Sequence, residues 1–396
     1  MNTTPGTTSP RSPLGPPEES SHEHGQNTEH ARLDALTAAG VSIWLDDLGR
    51  DRLVSGELAR LITDRNLSGV TTNPTIFAKA ITGSDVYSTQ LTDLAASGVN
   101  ADDALITVTT EDVRTACDVM RPVYDATDKV DGRVSIEVDP RHARDTHATI
   151  EQARMLWQRV DRPNMFVKIP AALQGLEAIS TCLSEGISIN VTLLFSLDRY
   201  AEVQEAFLTG IEGAKEAGLD LSAIGSVASF FVSRVDKEID ARLDAIDSEE
   251  AEALRGRTAI ANARLAYEKY EEMIAGPRWR ALAEAGAHPQ RLLWASTGTK
   301  DPAYSDTRYV TCLVAPDVVS TMPQATLEAV ADHALIPSDS VRRTYPESRD
   351  VLNRLARVGV DYDDVVSQLE DEGIAAFEDS WSELTTTVEQ RLTELA

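Results

Sequence analysis

Apolar residues in this chain gather into short runs separated by longer stretches of helical spacing. The runs at Val41–Asp47, Gly69–Thr75, Val134–Asp139, Asn164–Pro170, Ile187–Val191, Ala223–Ala228, Arg291–Ala295 and Asp317–Thr321 read as strands. Continuous runs of this kind suit parallel strands buried on both faces. Between them the spacing predicts a helix from Ala31, ended by Gly40, and two helices over 84–127 that part at Gly98 and Asn100. Further helices are expected through Arg159, over 175–184, 196–217 and 230–245, and near 305–313. Two charged helices at 249–275 and 278–286 form an insertion over about 246–290, and helices at 324–334, 347–358, 362–370 and 374–395 finish the chain. Strand followed by helix throughout predicts an α/β fold, a (β/α)8 TIM barrel with additional helices at both ends. An open doubly wound sheet is the alternative, but no G-x-G-x-x-G follows the first strand. Residues 31–396 are therefore expected to form a single barrel domain.

Composition narrows the partners. Residues 1–30 are Thr, Ser, Pro, Gly, Glu and His with almost no large apolar side chain, the signature of a disordered N-terminal tail. The formal net charge of −27 argues against nucleic acid and against an anionic membrane surface. No apolar run approaches a membrane span, and the N-terminus has no basic-then-apolar leader. Cys117, Cys182 and Cys312 are scattered without C-x-x-C spacing, so reduced thiols in a cytoplasmic protein are expected, not a metal cage.

One polar residue stands out against the pattern. Lys168 sits inside the apolar run Met165–Ile169, just before Pro170. An ammonium with no exit to water is costly there, and the neutral amine that burial favours is the form that attacks carbonyls. Of 37 cationic residues only seven are lysines, so 37 − 7 = 30 are arginines. Where arginine is the usual cation, a lysine within a strand points to a need for an amine. The competing reading is a strand-end lysine that snorkels to solvent.

The C-terminal ends of barrel strands build active sites. Around that rim stand Asp46, Thr71, Asn73, Glu137, Lys168, Asn190, Thr192, Ser229 and Ser296. Polar residues also collect at strand ends simply because loops begin there. That account is weakest for Glu137 and Asn190, which sit between β-branched residues inside buried strands and need partners. Amine, carboxylates and amides around one mouth suit Schiff-base chemistry with acid–base help. After the seventh strand, Ala295-Ser-Thr-Gly-Thr-Lys300 offers hydroxyls, backbone N–H groups and the Lys300 ammonium to a phosphate, and Arg234 adds a bidentate donor. A glycine turn carrying a solvated lysine is the alternative.

The strings Gly69-Val-Thr-Thr-Asn-Pro-Thr-Ile-Phe77, Ile136-Glu-Val-Asp-Pro140, Val167-Lys-Ile-Pro170 and Ile189-Asn-Val-Thr-Leu-Leu-Phe195 resemble those of the transaldolases. So do Ala228-Ser-Phe-Phe-Val-Ser-Arg-Val-Asp236 and Trp294-Ala-Ser-Thr-Gly-Thr-Lys300. The resemblance runs from about Val41 to the C-terminus. It implies a class I aldolase-type barrel that moves a dihydroxyacetone unit between sugar phosphates, with no metal or organic cofactor, as a monomer or homodimer. By the same resemblance Lys168 matches the Schiff-base lysine, and Asp46, rather than Asp47, matches the acid/base. Glu137 with Thr192 matches the pair that holds a proton-relay water. Asn73, Asn190 and Ser229 match groups holding the dihydroxyacetone hydroxyls, and Arg234 and Ser296 match phosphate contacts. Two positions bear on specificity. Many transaldolases carry arginine where this chain has Gly298, so Lys300 is expected to supply that charge. Related fructose-6-phosphate aldolases place tyrosine at Phe231, so phenylalanine resembles the transferases. The other readings are a fructose-6-phosphate aldolase-like enzyme and a non-catalytic sugar-phosphate-binding barrel.

Overall fold

The computed structural model describes residue 1, residues 21–82 and residues 84–395. Strands β1 (Val41–Asp46), β2 (Leu67–Thr71), β3 (Arg133–Glu137), β4 (Met165–Pro170), β5 (Ile189–Leu194), β6 (Ser226–Phe231), β7 (Arg291–Ala295) and β8 (Val318–Met322) close into one barrel in sequence order. Every neighbouring pair is parallel, including β1 with β8. Strands β3 to β8 are buried at every position, as parallel strands covered on both faces are. The barrel is closed, and the open-sheet alternative falls.

Two rings fix which side chains point inward. Trp44 on β1 and Phe166 on β4 meet with centroids 6.1 Å apart, although their strands are not neighbours, so they meet inside. Gly69 makes room for this layer, because a Cβ there would fall 2.3 Å from the Trp44 ring. Strand alternation then turns Asp46 and Lys168, each two residues further on, inward as well and one layer nearer the C-terminal mouth. Beneath the rings, Asp131 accepts from Ser42 Oγ at 2.6 Å, Trp44 Nε1 at 3.1 Å and Arg291 Nη2 at 2.8 Å.

Several boundaries differ from the pattern's expectation. Residues 2–20 of the expected disordered tail lie outside the described residues, and the first helix spans Ser21–Ala38 instead of starting at Ala31. The second strand stops at Thr71 because Asn73 Oδ1 accepts the Ile76 N–H at 3.0 Å and opens the helix Pro74–Thr82. The sixth strand is displaced along the chain. Leu221–Ala223 is a single 3-10 turn, while Phe230 and Phe231, read as helix, complete β6. The expected helix 249–275 is divided into Glu249–Leu254 and Thr258–Ala275 around Gly256, at φ +65°. Conversely, the helices expected at 362–370 and 374–395 are one helix, Tyr362–Leu395. Gly373 does not break it; its missing side chain admits Leu193 of β5, which would stand 3.1 Å from a Cβ. Between β1 and β2 the chain also forms short helices at Arg50–Val54 and Glu57–Asp64, which the pattern did not suggest.

The long C-terminal helix packs on the helices Pro74–Thr82, Ala101–Ala126 and Ser233–Asp244 and on β5. It thereby reaches the C-terminal mouth of the barrel, where Phe377 comes to within 5.7 Å of Lys168 Nζ. Among the described residues no helix is long and apolar enough to cross a membrane.

Candidate active site

Lys168 is the centre of the C-terminal mouth. Its side chain is 5 % exposed, its Nζ donates to the Thr72 carbonyl at 3.0 Å, and Glu137 Oε2 is 3.6 Å away. The two residues are register partners on β4 and β3, so the sheet itself sets their approach. The snorkelling alternative does not hold, since the amine stays within the barrel.

Glu137 is also buried, and neither carboxyl oxygen has a hydrogen-bond partner among the described residues. Burial pushes its carboxyl up to about 7, against the pull of the Lys168 amine. A carboxyl in that range can give and take a proton near neutral pH. Asp46 is raised as well. Burial is the main cause, opposed by Lys168 and by the hydrogen bond from Thr71. Thr71 Oγ1 donates to Asp46 Oδ1 at 3.0 Å and lies 2.7 Å from Thr321 Oγ1. Since Thr71 spends its proton on Asp46, Thr321 is the donor in that second bond. Asp47 turns away to pair with Arg52 at 2.8 Å.

A cavity of about 140 Å³ opens over Lys168, Asp46 and Thr71, whereas Glu137 does not line it and borders a separate small cavity. Asp46, Thr71 and Lys168 line one part of it, with Asn73 and Ser229 beside them. Asn73 Oδ1 is occupied in capping its helix, and Ser229 Oγ donates to Asn190 Oδ1 at 2.7 Å. Asn190 is fully buried and does not line the cavity; its Nδ2 donates to Ser135 Oγ at 3.0 Å, so it braces the wall from within. Thr192 also stands behind the surface, its hydroxyl buried and without a partner among the described residues.

The remaining part of the cavity is cationic. Phe231, Arg234, Ser296, Gly298 and Lys300 line it. The Arg234 guanidinium rests over the Phe231 ring at 5.3 Å. Burial lowers the pKa of Arg234, and burial together with Arg234 lowers that of Lys300, so two cations converge where an anion would relieve both. Ser296 takes a left-handed φ of 55°, and its hydroxyl lies 2.9 Å from that of Ser233 at the start of the helix bearing Arg234. A Cβ at Gly298 would sit in ordinary van der Waals contact, 3.5 Å from both Pro323 and Thr326.

Sequence reasoning missed Thr321, Pro323 and Phe377, all of which line the cavity. Thr321 sits near the end of β8 and was open to the same strand-end rule as the others. Phe377 comes from a helix remote in sequence, and no local signal marks it.

The family model for transaldolase/fructose-6-phosphate aldolase matches residues 43–388. The chain is 60% identical over 360 residues to a transaldolase of Thermobifida fusca (strain YX), covering 91% of this chain and 98% of that protein. It is also 60% identical to a transaldolase of Acidothermus cellulolyticus (strain ATCC 43068 / DSM 8971 / 11B), covering 91% of this chain and 96% of that protein. Against transaldolase 2 of Streptomyces coelicolor (strain ATCC BAA-471 / A3(2) / M145) the identity is 57% over 364 residues, covering 92% and 98%.

Proposed function

Because the chain belongs to the transaldolase/fructose-6-phosphate aldolase family, we propose that Lys168 carries its reaction as a Schiff base. The activity is that of a transaldolase, a transferase acting on sugar phosphates. The observation that carries the mechanism is the Lys168 amine, buried at the barrel mouth 3.6 Å from a carboxyl poised to exchange protons.

Lys168 Nζ attacks the C2 ketone of a ketose phosphate and forms a carbinolamine. Glu137, in its acid form, protonates the C2 hydroxyl, which departs as water and leaves a protonated imine. Both Glu137 oxygens and the Thr192 hydroxyl lack hydrogen-bond partners among the described residues, which suits a water held between them as proton carrier. Asp46 removes the C4 hydroxyl proton, the C3–C4 bond breaks, and its electron pair flows into the imine as an enamine. The aldose phosphate leaves. The enamine adds to the aldehyde carbon of an incoming aldose phosphate, Asp46 returns the proton to the new alkoxide, and water hydrolyses the product imine. The raised pKa of Asp46 makes it a stronger base than an exposed carboxylate. Asn190 and Ser229 brace the wall beside the dihydroxyacetone unit, and Arg234, Ser296 and Lys300 receive the phosphate.

A transfer assay tests this reading. Fructose 6-phosphate with erythrose 4-phosphate yields sedoheptulose 7-phosphate and glyceraldehyde 3-phosphate, and Lys168→Ala abolishes it. Steady release of free dihydroxyacetone without an acceptor would instead identify an aldolase. We further assign the protein to the cytoplasm as a monomer or homodimer, consistent with the buried free thiols of Cys117 and Cys182.

A further inference from the structure

The barrel has a second mouth. At the N-terminal ends of its strands is a cavity of about 250 Å³, larger than the one over Lys168. Its apolar lining comes from Val130, Phe166, Val227 and Pro289, and its polar lining is mostly cationic. Catalysis in such barrels uses the opposite face, and the Trp44–Phe166 layer stands between the two mouths.

The charges there do not balance. Arg291 is held by Asp131 at 2.8 Å, and Lys129 leans on Asp220 at 3.4 Å. Arg133 has no such partner. It is 1 % exposed, and among the described residues no carboxylate reaches ion-pair distance of it. Its Nε and Nη2 donate to the Lys129 carbonyl at 3.0 and 2.7 Å, and its Nη1 to the Pro163 carbonyl at 3.0 Å and Ser188 Oγ at 3.3 Å. The Tyr124 and Phe166 rings flank it at 4.8 and 4.9 Å. Burial lowers the guanidinium to about 10. Among the described residues its hydrogen bonds all go to neutral acceptors, and the one carboxylate that favours its charge through space, Asp131, is already paired with Arg291, an expensive arrangement for a buried cation. Beside it, His288 Nε2 is buried without a hydrogen-bond partner among the described residues. Gly225 is held to a glycine by the same crowding, since a Cβ there would fall 2.7 Å from Arg133 Nη2 and 2.8 Å from Phe166.

We propose that this N-terminal cavity is a second binding site, for a small organic anion with one carboxylate and a compact apolar body. The carboxylate takes the charge of Arg133, which has no ion-pair partner among the described residues, and a hydrogen bond from His288, while the body packs on Phe166, Val227 and Pro289. A monoanion fits better than a dianion, because Asp317 also lines the cavity and would repel a second negative charge. The volume accepts a substituted ring, since an engineered apolar cavity of about 150 Å³ binds benzene.

Fluorine NMR titration of the full chain with 4-fluorobenzoate tests the site, with fructose 6-phosphate added to fill the catalytic mouth. Saturable binding is expected with the sugar phosphate present. Loss of at least roughly tenfold in affinity is expected for His288→Ala, whose transferase activity stays at the wild-type level, and for the uncharged probe 4-fluorobenzamide. The proposal is overturned if 4-fluorobenzoate does not saturate, if fructose 6-phosphate displaces it, or if His288→Ala and the amide probe bind as tightly as the reference pair. In that event Arg133 serves only to tie the Lys129 and Pro163 loops together.

Discussion

Glu137 and Lys168 face each other across the β3–β4 ladder, with Oε2 3.6 Å from Nζ and neither side chain more than 5 % exposed. The hydrogen-bonded register of two parallel strands sets this distance, so the acid needs no loop motion to reach the amine. Preorganisation of this kind lets burial tune a carboxyl without letting it wander.

Replacing that acid removes the proposed proton carrier and leaves the amine. Glu137→Gln is expected to lower kcat by roughly 10²- to 10⁴-fold with KM for fructose 6-phosphate little changed. Wild-type turnover should fall on the alkaline side with an apparent pKa near 7, as the acid form of Glu137 is lost, and the variant's profile should lack that limb. Matching pH profiles for the two proteins would assign the proton transfer elsewhere.

Stability carries the same signature. Glu137 is raised from 4.5 to about 7 and Asp236 from 3.8 to about 6, both chiefly by burial. Between those values the folded chain holds protons that the unfolded chain has released. The stabilisation is therefore complete below the unfolded pKa values and is lost as pH rises through the folded ones. The Tm is expected to fall from pH 5 to pH 8, each group contributing no more than about 3 kcal/mol. Glu137→Gln and Asp236→Asn should each flatten the slope measured by calorimetry, whatever they do to the absolute Tm.

The phosphate end makes a separable prediction. Lys300→Ala should raise KM for fructose 6-phosphate by roughly tenfold at nearly constant kcat, because the lost contact is made equally in ground and transition states. A Cβ at Gly298 meets its neighbours only at ordinary contact distance, so Gly298→Arg in the Lys300→Ala background should recover most of the affinity. Failure of the arginine to rescue would move the phosphate away from Gly298.

Phe377 brings the long C-terminal helix to the amine. Phe377→Ala is expected to cost about 3 kcal/mol of stability, as for other buried aromatic truncations. It should also admit water to the enamine, so that free dihydroxyacetone appears during transfer. Product analysis by chromatography reads this directly, and an unchanged product ratio would leave Phe377 a packing residue only.

The barrel and most of its rim were legible because their signals are local. Lys168 within an apolar run and Glu137 between Ile136 and Val138 are each anomalous in their own strands. What escaped depends on distant partners. Gly373 reads as a helix breaker until Leu193 is seen packed against it, and Phe230 and Phe231 read as helix until β6 pairs with β7. Phe377 reaches the site only because its helix crosses the mouth. The N-terminal cavity was equally hidden, since Arg133, His288 and Phe166 come from separate segments and meet only when the barrel closes.

The proposed chemistry turns on condensation of the Lys168 amine with a keto sugar. Borohydride reduction of the protein with fructose 6-phosphate, followed by peptide mass spectrometry, tests it directly. A reduced dihydroxyacetone adduct on the peptide containing Lys168, absent without sugar and absent in Lys168→Ala, is the predicted result. An unmodified Lys168 under conditions that support turnover, or an adduct on another lysine, would contradict it.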